Sequence, residues 1–325
     1  MTNRPILRMA TRHWDHIIPI ALGDVVPDDF DIELDRRDAT PGLWNSDDLD
    51  AAETSFSGYT LRRAAGDTSV TALPIFVMAG FRQRCIITRK DSPLTTLAEL
   101  KGKAVGLTGW PDSGNTWTRQ LLRMEGVELG DVKWRVGPLT PNHPVTDRIG
   151  PYPTGDLDVA HTDNDGTLMG QLDEGILDAV MTPFMPPGFF SPDSPWRTVQ
   201  PDVTAAEMEY FRTTGYCPGM HVLAVRTSIL EEHPEYAQAL LDLFERSRKL
   251  ADSRRWKLQD VYPWTNEALM LMLEGTGPNW LPYGAENIRK MTDDFVNEHL
   301  ALGTLKEPIW FDELFPFAVD LTPEN

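Results

Sequence analysis

Cysteine is nearly missing from this sequence: Cys85 and Cys217 stand alone among 325 residues. Two thiols read as small buried hydrophobes rather than as a disulfide or a nucleophile pair. Long apolar runs are missing too, so no segment is expected to cross a bilayer and no membrane partner is implied. Basic residues are scarce, 30 Lys and Arg against 49 Asp and Glu, for a net charge of −19. That balance argues against a nucleic-acid partner, which needs clustered Lys and Arg to neutralise phosphates. It does not exclude a small anionic ligand, since one arginine beside a binding site outweighs a distant acidic surface. The sequence has no GxSxG, P-loop, GxGxxG or CxxC, which removes the commoner hydrolase, nucleotide and redox readings. Histidine is scattered. The one close pair, His13 and His16, has no nearby carboxylate at metal-ligand spacing, so no metal is expected. The start, "MTNRPILRMATRHWDH", lacks the apolar stretch and cleavage site of an export signal. The first apolar cluster is interrupted by Pro19 and preceded by Asp15, and a cytoplasmic location is the expectation.

What is present is an alternation of short strands and helices, with 41% hydrophobic and 24% charged residues. This length exceeds the usual single domain and favours two lobes. "ILRMAT" (6–11), "FDIELDRRDA" (30–39), "TALPIFVMA" and "RCIITRK" read as strands. "SGYTLRRAAG" reads as a helix with Ser57 as N-cap and Gly66 as its stop. From about residue 90 a second α/β series begins with "TTLAELKG" and "KAVGL". A helix follows in "DSGNTWTRQLLRMEG", and another is opened by Asp165. A Pro/Gly-rich loop occupies 184–195. The strand "GMHVLAVRTSIL" (219–230) precedes a long amphipathic helix from Pro234 to about Ser253, with Tyr236, Leu240, Leu243, Phe244 and Leu250 at helical spacing. Strand–helix alternation of this kind predicts an α/β fold. No linker divides the chain, which points to interwoven lobes.

Three helix starts directly after strands, at Ser55–Ser57, Ser113–Thr116 and Asp165–Thr167, are candidate anion sites. A helix N-terminus presents unpaired N–H groups and partial positive charge. Plain capping explains the same residues. In "GFRQRCI", Arg82 and Arg84 would share one face of a strand and suit bidentate carboxylate binding. "TRHWDH" sets His16 and Asp15 where the first strand ends. His221 precedes an apolar strand, and Glu53 in "AAETS" reads as semi-buried. These four are candidates for proton transfer, with one carboxylate orienting one histidine.

At "DSPLTTLAELKGKAVGL" the chain resembles the type 2 periplasmic-binding-protein fold, and more closely the 4,5-dihydroxyphthalate decarboxylase-like family. The supporting segments run in order: the strand-to-"WD" turn at 8–15, "LDAAETSFSGY" (49–59), "FRQRCI" (81–86), "LDEGILDAVMTP" (172–183), "YFRTTGYCPGMHVLAVR" (210–226) and "NWLPYGAEN" (279–287). The resemblance implies an α/β architecture with lobe one at 1–89 plus 221–325, lobe two at 90–220, and a central interlobe cleft. It implies a cytoplasmic carbon–carbon lyase without cofactor that decarboxylates a hydroxylated aromatic acid such as 4,5-dihydroxyphthalate, giving protocatechuate and CO₂. Its partner would be a small anionic aromatic substrate. A homo-oligomer is left open. In this reading Arg82 and Arg84 bind carboxylate, Ser55, Ser57, Ser113 and Thr116 donate to anionic oxygens, and His221 or His16 transfers the proton with Asp15 or Glu53 behind it. The chain departs from the family pattern at His16, Gln83 and Phe184. The alternative is a non-catalytic solute-binding protein for a small anionic or aromatic ligand, of the ABC-transporter type.

Overall fold

The computed structural model describes residues 4–143, 154, 156–162, 166–281 and 283–322. Among them run the strands β1 (Ile6–Arg12), β2 (Asp31–Arg37), β3 (Ala51–Ser55), β4 (Val70–Ala79), β5 (Ile86–Arg89), β6 (Ala104–Leu107), β7 (Lys133–Val136), β8 (Val159–His161), β9 (Ala179–Met181), β10 (Trp196–Thr198) and β11 (Gly219–Arg226). The α-helices are α1 (Ile18–Ala21), α2 (Phe56–Ala64), α3 (Ser113–Met124), α4 (Leu168–Asp173), α5 (Val203–Thr214), α6 (Thr227–Glu232), α7 (Glu235–Arg255), α8 (Thr265–Thr276), α9 (Ala285–Ala301) and α10 (Phe311–Leu314). None is long and apolar enough to cross a membrane.

The chain forms two compact units. The first comprises Met1–Ala79, Gly219–Asp293 and Ile309–Asn325; the second comprises Gly80–Pro218 and Asp294–Pro308. These bounds differ from the expected 1–89, 90–220 and 221–325. β4 keeps pairing with β11 as far as Ala79 opposite Gly219, so the first unit runs to that pair. Residues 294–308 fall with the second unit, where Phe295 stacks 5.0 Å from Trp117 and Glu298 pairs with Arg123 at 2.9 Å.

The first unit is built on a five-stranded sheet in the order β2-β1-β3-β11-β4. β1 pairs in parallel with β2 and β3, whereas β11 runs antiparallel to both β3 and β4. Ala10, Ala52, Val70 and Ala224 meet Leu43 and Leu49 in one core cluster. Pro74 is tolerated inside β4 because β4 is an edge strand, where a missing N–H breaks no ladder bond on the open side. The register slips between Val222 and Ala224, which face Phe76 and Ala72, so β4 bulges across Pro74. Glycine is required at Gly219, since a Cβ there would lie 2.3 Å from the Phe76 ring. α7 follows the expected helical spacing and buries Tyr236, Leu240, Leu243 and Phe244.

The second unit carries a six-stranded sheet, β10-β5-β9-β6-β7-β8. β9, β6, β7 and β8 are parallel neighbours, and β5 and β10 add antiparallel pairs at one edge. Ile87 and Val180 pack with Leu168, Leu172 and Leu177 on one side of it. Asp165, the expected opener of α4, lies outside the described residues; Thr167 caps that helix, its Oγ1 accepting from Gly170 N at 3.1 Å.

Candidate functional site

Glu53 and His221 sit on neighbouring antiparallel strands. Ser55 faces His221 and Glu53 faces Leu223, so Glu53 and His221 are diagonal neighbours on one face of the sheet. Long side chains close that diagonal: His221 Nδ1 lies 2.6 Å from Glu53 Oε1. The other carboxylate oxygen accepts from the Arg12 backbone N–H at 2.7 Å and from the Trp14 indole N–H at 2.9 Å. Glu53 is fully buried, and the His221 side chain is 15% exposed. Burial works to raise the Glu53 carboxyl, but the hydrogen bond and charge of His221, then Arg12 N–H and Trp14, carry it below its ordinary value. An ionised carboxylate only accepts, so His221 meets Glu53 as an Nδ1–H donor.

Asp15 and His16 form a second pair in the first unit, on the short 3-10 turn Asp15–Ile17. His16 Nδ1 is 3.6 Å from Asp15 Oδ1, and Arg255 holds the other oxygen of Asp15 at 2.8 Å. His16, and then Arg255, keep the Asp15 carboxyl well below the usual carboxylate range against the opposing effect of burial. His16 Nε2 is buried with no hydrogen-bond partner among the described residues.

Other candidates are placed differently from the sequence reading. Ser55, not Ser57, caps α2, its Oγ accepting from Gly58 N at 3.4 Å. β3 runs straight into α2, so the last strand residue is the cap and Ser57 lies buried in the first turn. Arg82 and Arg84 do not share a strand face. Residues Gln83–Cys85 form a 3-10 turn, which buries Arg82 and exposes Arg84. Arg82 Nε reaches Thr118 Oγ1 at 3.4 Å, and its guanidinium lies against α3 where Gly114 leaves room; a Cβ there would be 2.8 Å from Nη2. Ser113 and Thr116 are both buried in the first turn of α3, whose N-cap is Asp112. Cys85 and Cys217 are free and buried, and burial pushes the Cys217 thiol up. Gln83 is buried, and the Phe184 carbonyl accepts from Thr182 Oγ1.

Two residues escaped the sequence reading. Trp14 was legible only as part of a turn, although an indole N–H just past a strand end is a natural second donor to a carboxylate on the neighbouring strand. Glu207 lies on α5, a helix the sequence reading passed over. Burial raises the Glu207 carboxyl, with Arg84 opposing, and its Oε1 has no partner among the described residues. No group of three or more His, Cys, Asp and Glu among the described residues could hold a metal ion. Two surface cavities, about 510 Å³ beside Arg123 and Leu300 and about 410 Å³ beside Asp28 and Glu245, include none of the candidate residues.

No family model matches the chain. It is 26% identical over 318 residues to a 4,5-dihydroxyphthalate decarboxylase from Comamonas testosteroni, covering 95% of this chain and 96% of that protein. A second relative of the same name, from Pseudomonas putida, is 28% identical over 218 residues, or 66% of this chain and 84% of the relative. This chain resembles the 4,5-dihydroxyphthalate decarboxylases. The periplasmic aliphatic sulphonate binding protein of Escherichia coli matches with a TM-score of 0.56 at 14% identity, over 99% of this chain and 96% of that one. The two-sheet α/β architecture is thus the periplasmic-binding-protein fold, as the decarboxylase-like segments had implied.

Proposed function

We propose that the protein is a decarboxylase of a hydroxylated aromatic carboxylate, with 4,5-dihydroxyphthalate as the first substrate to test. The observation that carries this reading is the Glu53–His221 pair, a buried carboxylate holding a histidine whose side chain is 15% exposed. Similarity to decarboxylases along nearly the whole chain supports it. In the proposed reaction His221, carrying a proton on Nε2, protonates the ring carbon that bears the departing carboxylate. The hydroxyl para to that carbon releases its own proton and supplies the electron pair, giving a dienone that still carries both carboxylates but no charge on its ring. The carbon–carbon bond then breaks, its electrons return to the ring, CO₂ leaves, and the dienone oxygen takes up a proton. One proton is consumed overall. The substrate's phenol is the electron sink, so the scheme asks for no cofactor. Glu53 stays ionised throughout and stabilises the imidazolium from a dry position, where its charge acts strongly.

The test is CO₂ release and protocatechuate formation on mixing the protein with 4,5-dihydroxyphthalate, beside a His221→Ala control. Release that collapses in the control supports the proposal. The fold shared with a sulphonate-binding protein favours one second reading, a carrier of a small anionic solute. A rise in thermal midpoint with the ligand but no CO₂ would favour that reading and sink the first.

A further inference from the structure

Arg12 stands where β1 ends, in the same unit as Glu53 and His221. Its main chain already belongs to the candidate site, since the Arg12 N–H donates to Glu53 Oε2 at 2.7 Å. Its side chain, half-buried, leaves the strand toward Asp38, where Nε donates to the backbone carbonyl at 3.2 Å. The guanidinium lies over the Trp14 ring, with Cζ 4.9 Å from the ring centroid. Trp14 gives its indole N–H to the same Glu53 oxygen, at 2.9 Å. One indole therefore separates the guanidinium from the carboxylate that holds His221. The stack and the Nε bond hold that guanidinium in place from two sides.

What Arg12 lacks is a counter-charge. Arg8, Arg37 and Arg255 each meet a carboxylate, on Asp50, Asp35 and Asp15. Arg12 meets none among the described residues, although Asp38 is beside it. The Asp38 carboxylate lies 3.3 Å from His13 Nε2, and its carbonyl is what faces Arg12. Neither Nη group of Arg12 has a hydrogen-bond partner among the described residues. In a chain of 49 acidic residues against 30 Lys and Arg, a guanidinium held in place but paired with no acid is available to a ligand. Chemistry says which kind. A guanidinium fork matches the two oxygens of a carboxylate. An aromatic acid seated at His221 also approaches the anionic Glu53, so any carboxylate it keeps needs a cation close by.

We propose that Arg12 binds the carboxylate that the substrate keeps, and so selects an aromatic acid carrying a second carboxylate beside the one it loses. The substrate assumed here rests on the decarboxylase reading of the Glu53–His221 pair. In a phthalate-type acid the two carboxylates stand on adjacent ring carbons. With the reacting carbon at His221, the kept carboxylate lies one bond further round the ring, and a guanidinium one indole away from the pair is spaced to meet it. The reaction leaves that carboxylate unchanged, so Arg12 holds ground state and transition state alike. Its loss should raise KM and leave kcat nearly as it was, the opposite of what removing the Glu53 charge should do.

The experiment is isothermal titration of the full chain with protocatechuate and with catechol, which differ by the kept carboxylate alone. The wild type should bind protocatechuate ~10–100-fold more tightly than catechol, the worth of one charge-assisted contact. Arg12→Gln should bind the two about equally, with its affinity for catechol unchanged. Should that variant misfold, Arg12→Lys is read instead: it keeps the charge without the fork, and a several-fold loss of the preference is expected. A wild type without the preference, or a preference that survives in the folded variant, would overturn the proposal. CO₂ release from 4,5-dihydroxyphthalate, measured in parallel, separates this result from the wider reading. A preference lost in Arg12→Gln, with no CO₂ from the wild type, keeps Arg12 as the carboxylate contact and retires the decarboxylase. CO₂ release with the preference untouched does the reverse.

Discussion

Glu53 and His221 are joined by a 2.6 Å bond between residues 168 positions apart in the chain. The bond is diagonal across β3 and β11, and its far side is closed by Trp14 and the Arg12 backbone. A carboxylate held by three donors in a dry site is fixed in both charge and direction. The histidine beside it inherits that direction.

Replacing Glu53 by Gln keeps the shape and removes the charge. CO₂ release is expected to fall by ~10²–10⁴, the usual contribution of a positioned acid–base pair, with less change in substrate affinity. Steady-state assays comparing Glu53→Gln with His221→Ala check this. If the two act as a unit, the double variant should be little worse than the worse single one.

The lowered Glu53 carboxyl also predicts a pH dependence of stability. Its folded value lies below the ordinary carboxyl value of 4.5. The unfolded chain therefore binds the proton first, so the stabilisation is complete above that ordinary value and is lost as pH falls through the folded one. Chemical denaturation should show Glu53→Gln less stable than the wild type at neutral pH, with the gap closing in acid. A gap that does not change with pH would contradict the assignment of charge.

His299 predicts a second acid effect with an earlier onset. It is fully buried, its Nδ1 lies 2.6 Å from Thr304 Oγ1, and burial, then Arg119, lower its pKa to about 3. The unfolded histidine takes its proton near 6.5, so stability should begin to fall below that pH and continue falling toward about 3. The slope is at most ~1.4 kcal/mol per pH unit. Urea midpoints of the wild type and His299→Gln, measured from pH 7 to pH 4, should converge as pH drops.

Trp14→Phe removes one donor from a buried carboxylate and little volume. A hydrogen bond to a charged group is worth ~1.5–3 kcal/mol, and a loss in that range is expected at neutral pH. Trp14→Phe in the Glu53→Gln background should cost distinctly less, because the charge it served is gone. Equilibrium denaturation of the four proteins gives the coupling.

Gly114→Ala would place a methyl 2.8 Å from Arg82 Nη2 and 3.1 Å from its Cζ. With Arg82 buried, the guanidinium has little room to give, and a loss of ~1–3 kcal/mol is expected. Thermal melts should show that Gly114→Ala is nearly harmless once Arg82 is already Ala.

Much of this was written in local pattern. The alternation in "DIEL" marked β2, and the spacing from Tyr236 to Phe244 marked α7, because side-chain periods of two and 3.6 are local facts. α5 was also within reach: Asp202 caps it and Gly215, at φ 82°, stops it. Glu53 and His221 were legible as candidates, but their pairing was not, since strand neighbours so distant in sequence leave no local trace. Arg82 and Arg84 misled for the opposite reason. Two residues apart means one face only on a strand, and a 3-10 turn there sent one inward and the other out.

The position of β11 has a further consequence, for the order in which the protein can fold. β3 and β4 are consecutive in the chain, yet β11 lies between them in the sheet. The first 79 residues therefore cannot close their own sheet as they leave the ribosome. The gap waits for residues 219–226, and the whole of Gly80–Pro218 is made meanwhile. At ~5–20 residues per second that interval is roughly 7–28 s, long enough for the second unit's strands to pair before the first sheet receives its missing strand. The Glu53–His221 bond spans that gap, so it cannot form before β11 emerges.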